Sequence, residues 1–181
     1  MINENPIRLI RLAGSSELTN EFKILYEEAF PPDERREWPQ VVDLLSNSNF
    51  NFFGIYHHER TIGLLSVWNL DEFQFIEHFA IQDIDRGQGF GTQVIQQLLN
   101  RSSIPVILEV EEPLTEIAQK RIAFYKRLNF NVCEGDYYQP PYSIGKNKVK
   151  MLLMSFPEKI SQDSMIQVKT KIYVSVYNFF E

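Results

Sequence analysis

DIDRGQGFGTQVIQQLLN, residues 83–100, places three of the chain's eight glycines within five positions and then continues directly into a helical pattern. The residues before it, 73–81, resemble a strand, and residues 104–110 form the continuous apolar run that is typical of a buried strand. The stretch therefore links two strands through a turn and a helix. Such a turn presents unpaired backbone N–H groups at the positive end of a helix dipole, which predicts an anion-binding site.

Seven segments of the chain show strand-like patterns, and two of them flank the glycine turn. They are residues 6–12, 50–56, 61–68, 73–81, 104–110, 130–138 and 148–156. Helical spacing of apolar residues predicts one helix that begins after Ser15 or Ser16 and ends before Pro31, and another over residues 115–128. Residues 157–181 fit both a helix and a strand, and we expect a helix that packs on the same domain or on a partner chain.

Composition indicates an ordinary globular domain and excludes several function classes. The chain has 181 residues, is 44% hydrophobic and carries a net charge of −6, so we expect no nucleic-acid partner. No apolar run reaches the length of a membrane span, and the first ten residues lack a secretory signal pattern, so we expect no membrane association and a cytoplasmic location. Cys133, the single cysteine, suits a packing role, and the three histidines have no metal-ligand spacing, so we expect no metal.

Two common phosphate-binding patterns do not fit the glycine turn. The dinucleotide fingerprint requires G-x-G-x-x-G, whereas this chain has G-Q-G-F-G-T at residues 87–92. A P-loop requires Gly-Lys followed by Ser or Thr, and the chain contains no such tripeptide. A third pattern remains.

RGQGFG, residues 86–91, matches the R/Q-x-x-G-x-G/A signature of the GNAT superfamily of N-acetyltransferases. FIEHFAI, upstream of it, resembles that family's fourth strand, and RIAFYKRLNF, downstream, resembles its FYxxLGF helix end. The resemblance extends over about residues 7–156. It implies an α/β fold with a single mixed, mostly antiparallel sheet of about seven strands, flanked by helices, in which strands four and five splay apart. The predicted domain is 1–156, followed by the C-terminal segment 157–181.

The resemblance also implies an activity, the transfer of an acetyl group from acetyl-CoA directly to a primary amine. Backbone groups of the fourth strand would hold the pantetheine arm and the thioester oxygen, and the amides of the glycine turn would hold the pyrophosphate. The implied strand positions are Phe79, Ala80 and Ile81, and those of the turn are Arg86, Gly87, Gln88, Gly89, Phe90, Gly91 and Thr92. The alternative is a GNAT-like domain that binds acyl-CoA without catalysis.

Tyr125 matches the family tyrosine that protonates the departing thiolate, although Ala118 stands where the family usually has Asn. Glu77 is the first candidate for the general base, because many members of the family that the chain resembles carry an acid near this position and because strand alternation predicts a charge in an apolar row that includes Phe79. The same alternation predicts that His78 lies on the opposite face. A paired structural carboxylate is an equal reading of Glu77, and Glu109 and Glu111 on the next strand compete with it for the role of base.

The acceptor is expected to be a small-molecule or peptide amine that binds between two loops. Acidic residues of the first loop, Asp33, Glu34 and Glu37, are candidates to attract an amine, although a solvated charge run is the preferred interpretation of this loop. The second loop contributes three tyrosines as candidate pocket walls: Tyr137, Tyr138 and Tyr142. The aromatic C-terminal segment must pack on its own sheet or on a second copy, so a homodimer is one expectation.

Overall fold

A computed structural model describes residues 7–180, which form one eight-stranded sheet with helices on both faces. The strands are β1 (Arg8–Leu12), β2 (Phe50–His57), β3 (Arg60–Asn69), β4 (Gln74–Ile81), β5 (Val106–Glu111), β6 (Asn131–Val132), β7 (Tyr137–Gln139) and β8 (Val149–Phe156). Their order is β1-β2-β3-β4-β5-β8-β6, and β7 also pairs with β8. Only β4 and β5 pair in parallel, so the expected mixed and mostly antiparallel sheet is confirmed. Pro6, the predicted start of the first strand, lies outside the described residues.

Within the described part of the chain, five α-helices cover the two faces of the sheet. They are α1 (Asn20–Ala29), α2 (Trp38–Leu44), α3 (Phe90–Arg101), α4 (Glu116–Arg127) and α5 (Gln162–Tyr177). Apolar side chains of α1, α2 and α5 share one core with one face of the sheet, and those of α3 and α4 share a second core with the other face. Within residues 7–180, no helix combines the length and the apolar character that crossing a bilayer requires.

Strands β4 and β5 separate after only three residue pairs. Their parallel pairing ends at Ile76 and Leu108, so the rest of β4 has lost its neighbour on that side. The splay that the resemblance implied is therefore confirmed. It opens a gap in the middle of the sheet, with α3 and α4 on one side of the gap and α1 on the other.

A β-bulge at Glu77 changes which side chains of β4 share a face. His78 pairs with Ser66 and Ile76 pairs with the next β3 residue, so Glu77 has no partner in the register. Because of this extra residue, Glu77 and His78 both contact the core of α1 and α5, and Phe79 packs in the opposite core. The predicted alternation, with Glu77 and Phe79 on one face and His78 on the other, was wrong for this reason.

The C-terminal third differs from the expected pattern in one strand. Residues 130–138, predicted as a continuous strand, form the two short strands β6 and β7, separated by a bend at Gly135 with a φ of 122°. Residues 162–177 form α5, and the buried side chains of this helix lie in the same core as those of α1. The chain's own sheet thus covers the apolar side of this segment.

Candidate active site

A cleft of about 720 Å³ lies where β4 and β5 splay apart. It runs through the sheet, because its walls include α3 and α4 on one face and Phe30, Glu34, Gln139 and Met151 on the other. Most of the residues predicted from the sequence line it: Glu77, Phe79, Ala80, Ile81, Arg86, Gly87, Gly89, Phe90, Gly91, Thr92 and Tyr125. Gln88 is the exception, since its side chain is exposed and donates a hydrogen bond to the Ile84 carbonyl.

The glycine turn leads into α3 with two residues in the left-handed region. Gly87 has a φ of 78° and Gly89, directly before the helix, has a φ of 83°. A Cβ atom at either position would meet no protein atom within 4 Å, so packing does not explain the absence of side chains. The glycines permit the backbone conformation and leave the outer side of the turn open, as close approach of a ligand to the amides requires.

An ion pair that the sequence did not indicate fixes the base of this turn. Asp85 is buried, and the two guanidinium nitrogens of Arg60 donate to its carboxylate at 2.7 and 2.5 Å. The side chain of Arg86 also folds back on the turn, with Nε donating to the Ile81 carbonyl at 3.1 Å and Nη2 lying 2.8 Å from Asp83. These contacts hold the turn to the β2–β3 hairpin and to the end of β4.

The free edge of β4 directs backbone groups toward the gap. Just past the strand, Gln82 donates its N–H to the Ile62 carbonyl, so the backbone N–H of Gln82 points toward β3. Because backbone groups alternate in direction along a strand, those of Phe79 and Ile81 point away from β3 and those of Ala80 point toward it. Phe79 and Ile81 are therefore the positions whose N–H and C=O groups face the cleft.

Glu77 is held in a buried ion pair. Arg36 donates from Nε to Oε1 at 3.0 Å, and the indole of Trp68 donates to Oε2 at 2.8 Å. Burial alone would raise the pKa of Glu77, but the Arg36 guanidinium and the other groups around the carboxylate together outweigh it, so the pKa lies below its ordinary value. Of the two readings drawn from the sequence, this geometry favours the paired structural carboxylate over a base, whose pKa should lie near the working pH.

Glu109 on β5 has the opposite electrostatic character. Burial raises the pKa of its carboxyl to about 7, although the hydroxyl of Tyr177 donates a hydrogen bond to Oε1. The hydroxyl of Tyr137 also faces this carboxyl and lowers its pKa, although buried Oε2 forms no hydrogen bond of regular geometry within residues 7–180. A buried carboxyl with a pKa near neutrality has the properties of a general base.

Tyr125 lies at the end of the cleft that α3 and α4 form. Its ring packs edge-on against Phe124 and Phe130, with centroid distances of 5.0 and 5.5 Å. Burial raises the pKa of its phenol above the ordinary value, so the group keeps its proton at neutral pH. Tyr125 packs in the core that α3 and α4 form with one face of the sheet. Glu109 accepts a hydrogen bond from Tyr177, which is buried in the core of the other face. The two side chains therefore lie on opposite faces of the sheet.

Only one of the three acidic loop residues reaches the cleft. Glu34 lines the cleft. The pKa of its carboxyl is raised mainly by burial and, to a smaller extent, by the nearby charge of Glu111. Asp33 instead accepts hydrogen bonds at 3.0 Å from the backbone and side chain of Asn147, and Glu37 pairs with Lys146 at 2.8 Å. These contacts tie the two loops together, so Asp33 and Glu37 are parts of the cleft's outer scaffold.

The three tyrosines of the second loop do not form walls of the cleft, contrary to the expectation. Tyr142 is buried, with the guanidinium of Arg36 4.8 Å from its ring centroid. Tyr137 packs on Tyr173 of α5, and Tyr138 is exposed beside Lys148. Tyr137 and Tyr142 are therefore buried in the core next to the cleft and do not line it. His78, which does line the cleft, is buried, and burial lowers its pKa, so it stays neutral at pH 7.

Comparison with known proteins gives consistent results. The family model described as "Acetyltransferase (GNAT) family" matches residues 16–130. "Putative acetyltransferase YjbC" of Bacillus subtilis is 26% identical over 158 residues, 84% of this chain and 79% of that protein.

Two solved structures extend the comparison to three dimensions. "Putative acetyltransferase from GNAT family" of Bacteroides thetaiotaomicron is 32% identical, with a TM-score of 0.87 over 96% of this chain and 99% of that one. Arabidopsis thaliana NAA60 in complex with acetyl-CoA shares the fold at 16% identity, with a TM-score of 0.63 over 83% of this chain and 97% of that one.

Proposed function

This chain belongs to the GNAT family of acetyltransferases, and from that premise we propose that it transfers the acetyl group of acetyl-CoA directly to a primary amine. The observation that carries the proposal is the cleft through the sheet, with the glycine turn and Tyr125 on one face and Glu34 and Glu109 on the other. A donor bound on the first face and an acceptor bound on the second would meet at the splay. The acceptor class that we propose is an amine of a small molecule or a peptide.

Donor binding rests on backbone groups. The amides of residues 87–92 are the proposed contacts of the pyrophosphate, because they lie at the N-terminus of α3 and their outer side is open. The N–H and C=O groups of Phe79 and the N–H of Ile81, whose C=O is already held by Arg86, are the proposed contacts of the pantetheine arm and of the thioester oxygen. The bound acetyl-CoA of NAA60, which shares this fold, supports the choice of donor.

Glu109 is the proposed general base, acting directly or through one water molecule. It takes a proton from the amine as the nitrogen attacks the acetyl carbon, and backbone N–H groups of β4 stabilise the oxyanion that forms. The C–S bond then breaks, and Tyr125 donates its proton to the thiolate of CoA. The placement of base and acid on opposite faces matches the sides from which the acceptor and the donor would arrive.

Glu77 has a positioning role in this proposal. With Arg36 it fixes the bulge of β4, and the bulge sets which backbone groups face the donor. The ion pair contributes no proton to the reaction, because its carboxylate is fully engaged by Arg36 and Trp68.

Release of CoA thiol from acetyl-CoA, measured against a panel of amines, tests the proposal. We expect release that requires an amine, and a kcat about 10²–10⁴-fold lower in Glu109→Gln. Glu112→Gln is the matched control, because that neighbouring carboxylate pairs with Lys150 near the surface. Saturable binding of acetyl-CoA without transfer to any amine would favour the non-catalytic alternative, and absence of binding would contradict both.

A further inference from the structure

The C-terminal helix contacts the candidate base, although it lies outside the residues that the family model matches. The hydroxyl of Tyr177, the last residue of α5, donates a hydrogen bond to Glu109 Oε1. The family match ends at residue 130, so this contact comes from a part of the chain that the general family pattern does not describe.

Two further contacts hold the end of α5 at the cleft. Arg36 donates from Nη2 to the Val176 carbonyl at 2.6 Å, where the unpaired carbonyls and negative dipole end of a helix favour a cation. Tyr142 donates its hydroxyl to the Tyr177 hydroxyl at 3.4 Å. Both contacts are buried, so Tyr177 has a fixed position relative to β5.

The Tyr177 contact engages one oxygen of Glu109, and the hydroxyl of Tyr137 faces the same carboxyl. Oε1 accepts from Tyr177, whereas Oε2 forms no hydrogen bond of regular geometry among the residues that the structure describes. A carboxylate held at one oxygen has its second oxygen fixed in direction, which is the arrangement that positions a base.

We propose that Tyr177 is a positioning residue that orients the carboxylate of Glu109 toward the acceptor, and that α5 therefore completes the active site. This inference rests on the proposed function of Glu109. It assigns to the C-terminal helix a role in the reaction in addition to its role in the core.

The groups that face Glu109 determine what loss of the Tyr177 hydroxyl would do. They are Tyr177 on α5, Tyr137 on β7, Glu77 on β4 and Glu34 after α1. Burial, with smaller contributions from Glu77 and Glu34, raises the pKa of Glu109, and the hydroxyls of Tyr177 and Tyr137 oppose it. Removal of the Tyr177 hydrogen bond therefore raises the pKa further and lowers the fraction of ionised base at a given pH.

Tyr177→Phe tests the proposal, with Tyr173→Phe as the matched control on the same helix. The Tyr173 hydroxyl donates to the Tyr138 carbonyl and not to Glu109, and both substitutions keep the aromatic ring. We expect Tyr177→Phe to move the acid limb of kcat/KM upward by about one pH unit, so that the loss of rate is about tenfold greater at pH 6 than at pH 9. Tyr173→Phe should leave the limb in place.

Titration of Glu109 by carbon-13 NMR separates this inference from the proposed function. Protein labelled at the side-chain carboxyl of glutamate, with the resonance assigned through Glu109→Gln, reports the pKa without any substrate. An upward shift in Tyr177→Phe is expected even if no amine is acetylated, in which case the proposed function alone fails. Should Tyr177→Phe unfold, Tyr142→Phe provides the same titration with a smaller expected shift. An unchanged pKa and an unchanged acid limb in a folded Tyr177→Phe variant would overturn the inference.

Discussion

Glu109→Gln should make the protein more stable at pH 8 even though it removes the proposed base. The carboxyl of Glu109 has a pKa of about 7 in the folded protein, against an ordinary value of 4.5. The folded state therefore binds a proton more tightly than the unfolded state, and its stability declines as the pH rises from 4.5 to about 7. The difference between the two pKa values corresponds to ~3 kcal/mol at pH 8.

Glutamine removes this penalty because it is neutral and of the same shape, and its carbonyl oxygen still accepts the hydrogen bond from Tyr177. Urea unfolding of Glu109→Gln and of the unsubstituted protein at several pH values between 4 and 8 measures the effect. We expect nearly equal free energies of unfolding at pH 4 and an advantage of up to ~3 kcal/mol for the variant at pH 8. Glu112→Gln should change stability by less than ~1 kcal/mol at every pH. A Glu109→Gln variant that is less stable at pH 8, or whose effect does not depend on pH, would refute the argument that burial destabilises this carboxylate.

Three further outcomes follow from the contacts of the site. Glu77→Gln leaves Arg36 buried without its counterion, so thermal or urea unfolding should show a loss of about 3–5 kcal/mol; full stability would mean that the pair is not buried in solution. Tyr125→Phe removes the proposed proton donor but keeps the ring. Assays of thiol release should show a kcat that is lower by up to about 10²-fold, at unchanged stability. An undiminished kcat would remove Tyr125 from the mechanism. On the logarithmic pH profile of kcat/KM, the slope should decrease by one above about pH 7, where Glu109 becomes ionised, and Glu109→Gln should lack that change of slope.

The features predictable from the sequence are those that local spacing determines. The glycine turn, the strands on each side of it and the helix of Tyr125 are encoded within short stretches, and the structure brings them together around one cleft. The left-handed positions at Gly87 and Gly89 are an example, since a glycine at each position is a direct signal of that backbone conformation.

The contacts that the sequence did not reveal join residues far apart in the chain. Arg36 lies 41 positions from Glu77, and Tyr177 lies 68 positions from Glu109. No periodicity connects such pairs, because their proximity depends on the order of strands in the sheet and on where α5 packs.

The bulge of β4 shows why the alternation argument for Glu77 was wrong. No glycine or proline marks the bulge in residues 74–81, so a regular strand was the natural expectation. One additional residue reverses the facing of every later side chain in the strand. The choice of Glu77 as first candidate base rested on the family resemblance and on that alternation, whereas its ion pair with Arg36 favours Glu109.

Calorimetric titration of acetyl-CoA tests the central claim, which is that the cleft holds acetyl-CoA with its pyrophosphate on the glycine turn. The Cβ of Gly89→Ala would extend into the open side of the turn, and at a φ of 83° the backbone strain is about 1–2 kcal/mol. We predict saturable one-to-one binding by the unsubstituted protein and equal affinity in Glu109→Gln, with affinity at least about tenfold weaker in a folded Gly89→Ala variant. Absence of saturable binding by the unsubstituted protein, or equal affinity in Gly89→Ala, would contradict the account.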